Sequence, residues 1–409
     1  YSPEELLAMM LNYSRSLAEE FAEQVIKDVV ITVPAFFNQA ERRAVLHSAQ
    51  LAGLKVLQLI NDNTAVALNY GVFRRKDINS TAQNIMFYDM GSRSTAMGKL
   101  LKEANRVKTI LSANNDHTAQ IEGLMDDIDF KAKVTRQELE DLCADLFNRV
   151  PAPVLQALAS AEMSMDEIEQ VILVGGATRV PKVQELLIKA VGKEELGKNI
   201  NADEAAAMGA VYQAAALSKA FKVKPFVVRD ASTFPIQVEF TREVEEENQS
   251  KNLKHNKRIL FQRLAPYPQR KVITFNRYTD DFEFNINYGD LSFLGPDDLK
   301  VFGSVNLTTV KLNGVGESFQ KRSDYESKGI KAHFNMDESG ILTLDRVEAV
   351  FETAVEKPEQ ESTLTKLGNT ISSLFGGGGS VSENKENATD TVQEEDEVPN
   401  ESTKEEDQE

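Results

Sequence analysis

The chain has 409 residues, of which 41% are hydrophobic and 27% charged, a composition typical of a globular protein with two or three domains. Its net charge of −18 makes nucleic acid an unlikely partner, and no apolar run reaches the roughly 18 residues that suggest a membrane span. The single Cys143 excludes an internal disulfide framework. The four histidines are scattered, so we assign no metal site to them.

The first residue is Tyr1 rather than Met, and no signal peptide is visible, so we expect the sequence to be a fragment. Asn-x-Ser/Thr sequons favour a secretory compartment weakly, although each one could be accidental. The sequons begin at Asn12, Asn79, Asn248, Asn306, Asn387 and Asn400.

Residues 1–218 are predicted to alternate capped helices with apolar strands. Ser2 as N-cap, Pro3 at the first helical position and Glu5 in a capping box start the first helix. A second helix follows Asn38 as its cap and stops at Gly53. The predicted strands are "DVVITVP", "KVLQLIN", "NIMFYD" and "QVILVGG". Continuous apolar strands between helices indicate an α/β domain with a covered sheet.

The later part of this domain is predicted to be mainly helical. From about Met97 to Ser164 the pattern favours helices throughout. One further helix is expected to start at Pro181 and stop near Gly192, and another to start at Asn201.

Beyond residue 218 the pattern changes. Residues 219–230 form a short, partly apolar linker, and strict alternation then predicts an antiparallel β-sandwich over 231–355, with a hairpin turn at Asp337 to Gly340. From Glu356 onward, 15 acidic residues accompany only 4 basic ones. We expect this tail, 356–409, to be largely disordered, with a short amphipathic helix at 362–379.

The most specific motif is "VILVGGATRVPKV". A strand ends at Gly175 and Gly176, where the backbone can approach a ligand, and a helix starts at Pro181 with its first amides near the same place. This combination favours an anion or nucleotide site, although a tight packing turn has the same pattern.

Two further motifs place carboxylates after strands. In "FYDMGSRST", Asp89 ends a strand, and Gly91 and Ser92 give backbone access for a phosphate or a hydrated metal. In "LINDNTAVALNYG", Asp62 stands between a strand and a helix. Each carboxylate, taken alone, could also be an ordinary turn or helix cap.

Together these motifs resemble the seventy-kilodalton heat-shock chaperone family. "IKDVVITVPAFFNQAERRAVLHSAQLAGLKVLQLINDNTAVALNYG" is similar to the family's first connecting segment, "IMFYDMGSRST" to its second phosphate loop and "VILVGGATRVPKV" to its adenosine loop. "INADEAAAMGAVYQAAALS" resembles its second connecting segment. The resemblance covers nearly all of 1–355 and is strongest to the family's large endoplasmic-reticulum branch.

The resemblance implies an actin-like ATPase-type α/β domain, incomplete here, that binds ATP or ADP with Mg²⁺. The family's small lobe should follow the second phosphate loop, so we expect several tens of residues to be absent between Ala96 and Met97. The first phosphate loop is absent as well. The implied nucleotide-binding residues are Asp62, Asp89, Gly91, Ser92, Lys108, Ser112, Gly175, Gly176, Arg179 and Asp203.

Several positions depart from the family pattern. Arg93 and Ala96 replace small and acidic residues of the phosphate loop, and Asn63 replaces a proline. Since catalysis needs charged groups on both sides of the phosphate, we expect weak ATP binding and no useful hydrolysis by this polypeptide.

The resemblance implies that the sandwich binds peptides at a strand edge and in apolar pockets. Candidate lining residues are Ile259, Phe261, Ile273, Phe275 and Phe282. For each of them, a place in the sandwich core is the alternative interpretation.

Three functions are compatible with these observations. The first is an ATP-linked chaperone of the endoplasmic-reticulum lumen that holds unfolded polypeptides and acts as nucleotide-exchange partner of a conventional family member. The second is a nucleotide-independent peptide-holding module with a non-functional ATPase remnant. The third, a generic actin-like enzyme such as a sugar kinase, is disfavoured by the β-rich second half.

Overall fold

The computed structural model describes residues 1–75, 81–90, 98–125, 128–218, 220–224, 226–245, 251–352 and 390–392. The chain divides into two compact units. The first unit comprises Tyr1–Phe37 and Ala44–Val228, and the second comprises Asn38–Arg43 and Arg229–Glu409. The division at Val228 falls inside the predicted linker.

The first unit alternates helices and strands. Its first half contains α1 (Pro3–Ala22), β1 (Asp28–Val33), α2 (Gln39–Leu51), β2 (Lys55–Asn61), α3 (Asp62–Phe73), β3 (Ile85–Asp89) and α4 (Gly98–Leu111). Its second half contains β4 (Asp116–Met125), β5 (Ile128–Thr135), α5 (Arg136–Leu142), α6 (Ala144–Phe147), α7 (Ala152–Ala161), β6 (Gln170–Val174), α8 (Pro181–Val191) and α9 (Ala205–Leu217). In the described part of the chain, β1 pairs in parallel with β2 and β3 in parallel with β6.

The capping signals give the predicted helix starts. Ser2 and Glu5 form a capping box at α1. At α2, the Glu41 backbone N–H donates to Asn38 Oδ1 at 3.0 Å, and the Asn38 N–H donates to Glu41 Oε2 at 2.7 Å. The helix predicted from Asn201 starts only at Ala205, because Asn201 belongs to the preceding turn and accepts from the Asp203 N–H.

The prediction of continuous helix from Met97 to Ser164 is wrong. The antiparallel hairpin of β4 and β5 interrupts it, with Asp116 opposite Thr135. Ala119 and Ile121 are buried beside Leu111, whereas the alternate Gln120 is exposed. This alternation in "HTAQIE" is a strand signal that the helical pattern on either side obscured.

A very close approach of two helices organises the first unit. A Cβ added at Gly209 of α9 would lie only 1.8 Å from the backbone oxygen of Ala65 in α3. Ala65 is fully buried, and Ala210 and Leu68 pack in the same apolar cluster. Only glycine at position 209 lets the helices that follow β2 and precede the linker touch through their backbones.

The end of the first unit packs on its last helix. The Arg75 side chain donates hydrogen bonds to the Tyr212 hydroxyl and to the Lys224 carbonyl. Its guanidinium also lies 4.3 Å from the centre of the Phe226 ring. The predicted linker is therefore held by the first unit up to Phe226.

The second unit is built mostly from β-strands. Its elements are β7 (Asp230–Ala231), β8 (Ile236–Glu245), β9 (Lys251–Phe261), β10 (Pro266–Tyr267), β11 (Gln269–Phe275), β12 (Phe282–Tyr288), α10 (Pro296–Phe302), β13 (Asn306–Leu312), α11 (Val315–Gln320), β14 (Glu326–Met336), β15 (Leu342–Glu352) and β16 (Asp390–Val392). Two four-stranded sheets have the orders β15-β14-β11-β16 and β13-β12-β8-β9.

Both four-stranded sheets contribute to one apolar core. Phe275 of β11, Phe284 of β12 and Phe334 of β14 are at most 1% exposed and belong to the same cluster. The predicted hairpin turn is present, since the Gly340 N–H donates to the Asp337 carbonyl at 3.0 Å between β14 and β15. The alternation seen in the sequence therefore gives the buried faces of these strands.

The acidic tail is described only in one short strand. Asp390–Val392 pairs in parallel with Lys271–Ile273 of β11. The remainder of the tail, including the helix predicted at 362–379, lies outside the described residues.

The Gly209 contact gives the first prediction. We expect Gly209→Ala to lower the free energy of unfolding by about 1–3 kcal/mol or more, because the added methyl group overlaps the Ala65 backbone. Gly71→Ala is the matched control: it lies in α3, and its Cβ would meet only the Phe226 ring at 3.7 Å. That variant should be unchanged or stabilised by up to about 1 kcal/mol. Thermal and urea unfolding measure the stability of both variants. Equal loss of stability in the two variants would show that overlap with the Ala65 backbone is not the cause.

Candidate functional site

The Asp89 turn and the Gly175 turn meet at the carboxyl ends of two adjacent parallel strands. Asp89 of β3 lies opposite Val174 of β6. The Met90 N–H donates to the Val174 carbonyl at 3.1 Å, and the Ala177 N–H donates to the Met90 carbonyl at 3.0 Å. The two most specific motifs of the sequence are therefore one structural feature.

Gly175 is required by this arrangement. Its φ of +81° lies in a region that other residues rarely adopt, and a Cβ there would come within 2.5 Å of Asp89 Oδ1 and of the Met90 carbonyl. The Thr178 hydroxyl donates to the Gly175 carbonyl at 2.7 Å and holds the turn. The glycine thus lets the Gly175 turn pack directly against the Asp89 carboxylate and the Met90 carbonyl.

A second carboxylate lies beside the first. Asp62 is the first residue of α3, while Asn61 occupies the cap position without a side-chain capping bond. Partial burial raises the pKa of Asp62, although a hydrogen bond with the Thr32 side chain opposes that shift. Partial burial, followed by repulsion from Asp62, raises the pKa of Asp89. Two carboxylates that disfavour each other's charge would both be stabilised by a cation between them.

The other side of the glycine turn carries an ion pair. Arg179 Nη2 lies 2.5 Å from Asp203 Oδ2, and Nη1 lies 3.1 Å from Oδ1. A Cβ at Gly176 would be 3.6 Å from both Arg179 Nη1 and Asp203 Oδ1. The predicted residues Arg179 and Asp203 are therefore brought together beside Gly176, with their charges satisfied by each other.

Lys108 lies in the last turn of α4, and Ser112 is the first residue after that helix. The Ser112 hydroxyl donates to the Lys108 carbonyl at 3.2 Å. Lys108 lines an apolar cavity of about 250 Å³ with Leu111 of α4, Ile121 of β4 and Val134 of β5. The predicted phosphate-loop residues Gly91 and Ser92 lie outside the described residues.

The five predicted peptide-binding residues divide by burial. Phe261, Ile273 and Phe275 are at most 4% exposed and belong to the apolar core of the second unit, as the alternative interpretation has it. Their side chains cannot meet a ligand without opening that core. Ile259 is 58% exposed, and Phe282 is partly buried at the edge of the core.

Tyr278 is a residue at this edge that the sequence reasoning missed. Its ring stacks on Phe282 with centroids 4.0 Å apart and meets Phe275 edge-on at 5.9 Å. Its hydroxyl donates to the Thr241 carbonyl at 2.9 Å. The aromatic spacing of "FNRYTDDFEF" was the available signal. Nothing in that spacing distinguishes a loop tyrosine that packs on Phe282 from a tyrosine whose ring lies in solvent.

Comparison with known proteins gives the family. The family profile described as "Hsp70 protein" matches residues 1–96 and 92–408. The chain therefore belongs to the Hsp70 family, and its first unit is the family's ATPase-type α/β domain. The join between the two matched segments lies at residues 92–96, next to the gap predicted after Ala96.

Individual relatives agree with this assignment. The chain is 78% identical over 470 residues to "Hypoxia up-regulated protein 1" of Xenopus tropicalis, which covers 99% of this chain and 73% of that protein. The proteins of the same name from Rattus norvegicus and Homo sapiens are each 69% identical over 473 residues, covering 99% of this chain and 47% of theirs. The chain thus spans about half the length of these two mammalian relatives. Because the alignments are longer than the 409-residue chain, the relatives contain internal residues that this chain lacks.

Two features are absent from the residues that the structure describes. No helix among them is both long and apolar enough to cross a membrane. Among the same residues, no three His, Cys, Asp or Glu side chains converge to hold a metal ion. Two carboxylates alone do not complete the oxygen shell of Mg²⁺, so an ion at Asp62 and Asp89 would need water or phosphate oxygens as its other ligands.

The raised pKa of Asp89 gives a second prediction. An acid whose pKa is higher in the folded state destabilises the fold above that pKa, and this penalty disappears as the pH falls to its unfolded pKa of about 4. Asp89→Asn should therefore be more stable than wild type at pH 7, but by less than about 1 kcal/mol, since the carboxylate is only partly buried and solvent screens its interactions. The difference should vanish near pH 4.

Unfolding curves between pH 4 and pH 8 measure this effect. Asp145→Asn, at an exposed position of α6, is the control and should show no such pH dependence. A loss of stability in Asp89→Asn at pH 7 would contradict the repulsion.

Proposed function

We propose that the chain is a chaperone of the endoplasmic-reticulum lumen that holds unfolded polypeptides, with a first unit that binds ATP or ADP with Mg²⁺. The observation that carries the nucleotide part is that Asp62 and Asp89 lie together at the strand ends where the Gly175 turn packs. Membership of the Hsp70 family supports the chaperone part. The six sequons favour the lumen over the cytosol.

The residues present fit a magnesium nucleotide. Mg²⁺ prefers oxygen ligands, is usually bound through one or two carboxylates together with phosphates, and keeps several waters. Asp62 and Asp89 would orient that hydrated ion, whose charge relieves their mutual repulsion. Gly175 and Gly176 would let the nucleotide approach the main chain, and Arg179 would line its adenosine side while Asp203 holds the guanidinium. Gly91, Ser92, Lys108 and Ser112 complete the proposed set.

Hydrolysis is a separate matter from binding. Phosphoryl transfer requires positive groups and a positioned nucleophile around the γ-phosphate. Arg93 and Ala96 replace the small and acidic residues that the family has in its second phosphate loop. We therefore expect weak nucleotide binding without useful turnover.

The second unit is proposed to be the peptide-binding β-sandwich, formed by its two four-stranded sheets over 231–355. Ile259 and the Phe282–Tyr278 edge are the parts of the predicted site that a client can reach. The acidic tail, 356–409, would act as a spacer, and the conventional Hsp70 of the same compartment would be the nucleotide-exchange partner.

A nucleotide-independent holding module is the second candidate. It is favoured by the Arg179–Asp203 pair, in which two predicted nucleotide residues already satisfy each other. In that case the second unit alone would carry the function, and the first unit would be an ATPase remnant.

Titration with fluorescent ATP and Mg²⁺ separates the two candidates. We expect weak, Mg²⁺-dependent binding that the double variant Asp62→Asn/Asp89→Asn abolishes and Asp145→Asn leaves unchanged. The same samples are then assayed for suppression of aggregation of a denatured client, with and without ATP. Suppression that ignores nucleotide, with no ATP binding by wild type, would defeat the ATP-linked function and support the holding module.

Client binding at the second unit is tested by surface substitutions. We expect Ile259→Ser to weaken suppression of client aggregation several-fold, because it removes an exposed apolar side chain that a client could contact. The substitution should leave the core of the second unit intact, since Ile259 is 58% exposed. Val301→Ser is the matched control, since Val301 is 82% exposed on α10 of the same unit. Aggregation assays at equal chaperone concentration measure both. Identical activity of wild type and Ile259→Ser would exclude Ile259 from the site.

A further inference from the structure

The tail strand β16 covers one edge of the second unit. In the sheet order β15-β14-β11-β16, strand β11 pairs with β14 on one side and with the tail on the other. Among the described strands, β11 would be the edge of this sheet if the tail strand left it. An edge strand presents a row of unpaired N–H and C=O groups, and proteins commonly cover such a row with a further segment.

The register of the pairing brings residues of opposite charge together. Asp390 of the tail lies opposite Lys271 of β11. Arg270, one position earlier in β11, is exposed, so this end of the strand is basic. The tail from Glu356 onward is strongly acidic, with 15 acidic and 4 basic residues. The other two residues of β16 are a threonine and a valine, both of which favour strands. Charge and strand propensity therefore both favour this pairing.

The direction of the pairing leads toward the proposed client-binding edge. Because the pairing is parallel, β16 runs in the same direction as β11, from Lys271 toward Phe275. Phe275 contacts the rings of Tyr278 and Phe282, with centroid distances of 5.9 and 5.2 Å. Four of the five residues that follow Val392 in the sequence are acidic. An apolar client that approaches this edge therefore meets an occupied strand position followed by negative charge.

The contact is suited to reversible docking. β16 has three residues, so it offers few main-chain hydrogen bonds to β11. Residues 353–389 separate it from β15, and closing a loop of this length costs entropy. Both partners nevertheless belong to one chain, so the released strand rebinds at a high effective concentration.

We infer that residues 390–392 are a cis-acting strand that restrains client access to the second unit. When this strand is docked on β11 it closes the edge beside Tyr278 and Phe282, and its release opens that edge. The inference rests on the proposed holding function and adds a regulatory element to it. Main-chain hydrogen bonds and the opposite charges of Lys271 and Asp390 hold the tail in place.

Hydrogen–deuterium exchange of the full chain tests the docking itself. The double variant Thr391→Pro/Val392→Pro removes two amide donors from the tail strand and disfavours its pairing. We expect the amides of residues 269–275 to exchange at least about fivefold faster in this variant than in wild type. Val398→Pro/Thr403→Pro is the matched control, because it changes the same two residue types elsewhere in the tail.

A charge swap tests how the tail is recognised. Lys271→Glu should speed exchange in residues 269–275 about twofold or more, because it places a second carboxylate opposite Asp390. Adding Asp390→Lys to that variant should restore the wild-type rate, a rescue that general loss of the fold would not give. Lys254→Glu, at an exposed position of β9 in the other four-stranded sheet, is the control.

Suppression of client aggregation connects the docking to function. If the docked tail restrains clients, Thr391→Pro/Val392→Pro should suppress aggregation of a denatured client several-fold better than wild type at equal concentration. Val398→Pro/Thr403→Pro should match wild type. Circular dichroism shows whether all variants keep the fold.

The inference is overturned if residues 269–275 exchange equally in wild type and in Thr391→Pro/Val392→Pro, or if faster exchange leaves suppression unchanged. Either result leaves the holding function intact, because wild type would still suppress aggregation. Absence of suppression in wild type and in the tail variant alike would instead reject the holding function itself, and the restraint with it.

Discussion

The contact on which the first unit depends is the one between Gly209 and Ala65. It brings α3 against α9 at backbone distance, and a methyl group at position 209 would have to occupy the place of a carbonyl oxygen. α3 begins at Asp62, and α9 begins two residues after Asp203. The position of both aspartates is therefore fixed by a packing constraint that involves no charged group. The placement of these two carboxylates therefore depends on how closely α3 and α9 can approach each other.

The site stores unfavourable interactions that the rest of the unit must offset. Partial burial raises the pKa of both Asp62 and Asp89, and repulsion from Asp62 adds to the shift of Asp89. Gly175 holds a backbone conformation with φ of +81°. Residues of this kind destabilise a fold slightly and are common where a ligand is bound. The closely packed helices α3 and α9 and the paired strands β3 and β6 supply the rigid frame that tolerates them.

The sequence was informative where a local chemical rule decided the outcome. Ser2 with Glu5, Asn38 with Glu41 and the turn at Gly340 each satisfied backbone groups within a few residues, so their spacing sufficed. The meeting of the Asp89 and Gly175 turns was also predictable, because parallel strands in one sheet end at the same edge.

The features that could not be predicted from the sequence depend on contacts between segments that are distant in the chain. The β4–β5 hairpin was missed because its alternation is short and lies between helical patterns, and its burial depends on Leu111 of α4. Phe275 and Ile259 have similar apolar character in the sequence, yet one is fully buried and the other 58% exposed. The difference depends on which strand face meets the opposing sheet. The sequence pattern shows that side chains alternate between the two faces of a strand, but it does not show which face packs against the opposing sheet.

The stack of Tyr278 on Phe282 has a thermodynamic consequence for the proposed client site. The tyrosine ring covers one face of Phe282. A client side chain that is to contact that face would have to displace the ring, so Tyr278 would compete with the client. A client would then bind only those molecules in which the ring has moved away. Its measured dissociation constant would equal the intrinsic constant divided by the fraction of such molecules. Weak short segments would be rejected, while long segments that offer many contacts would still be retained.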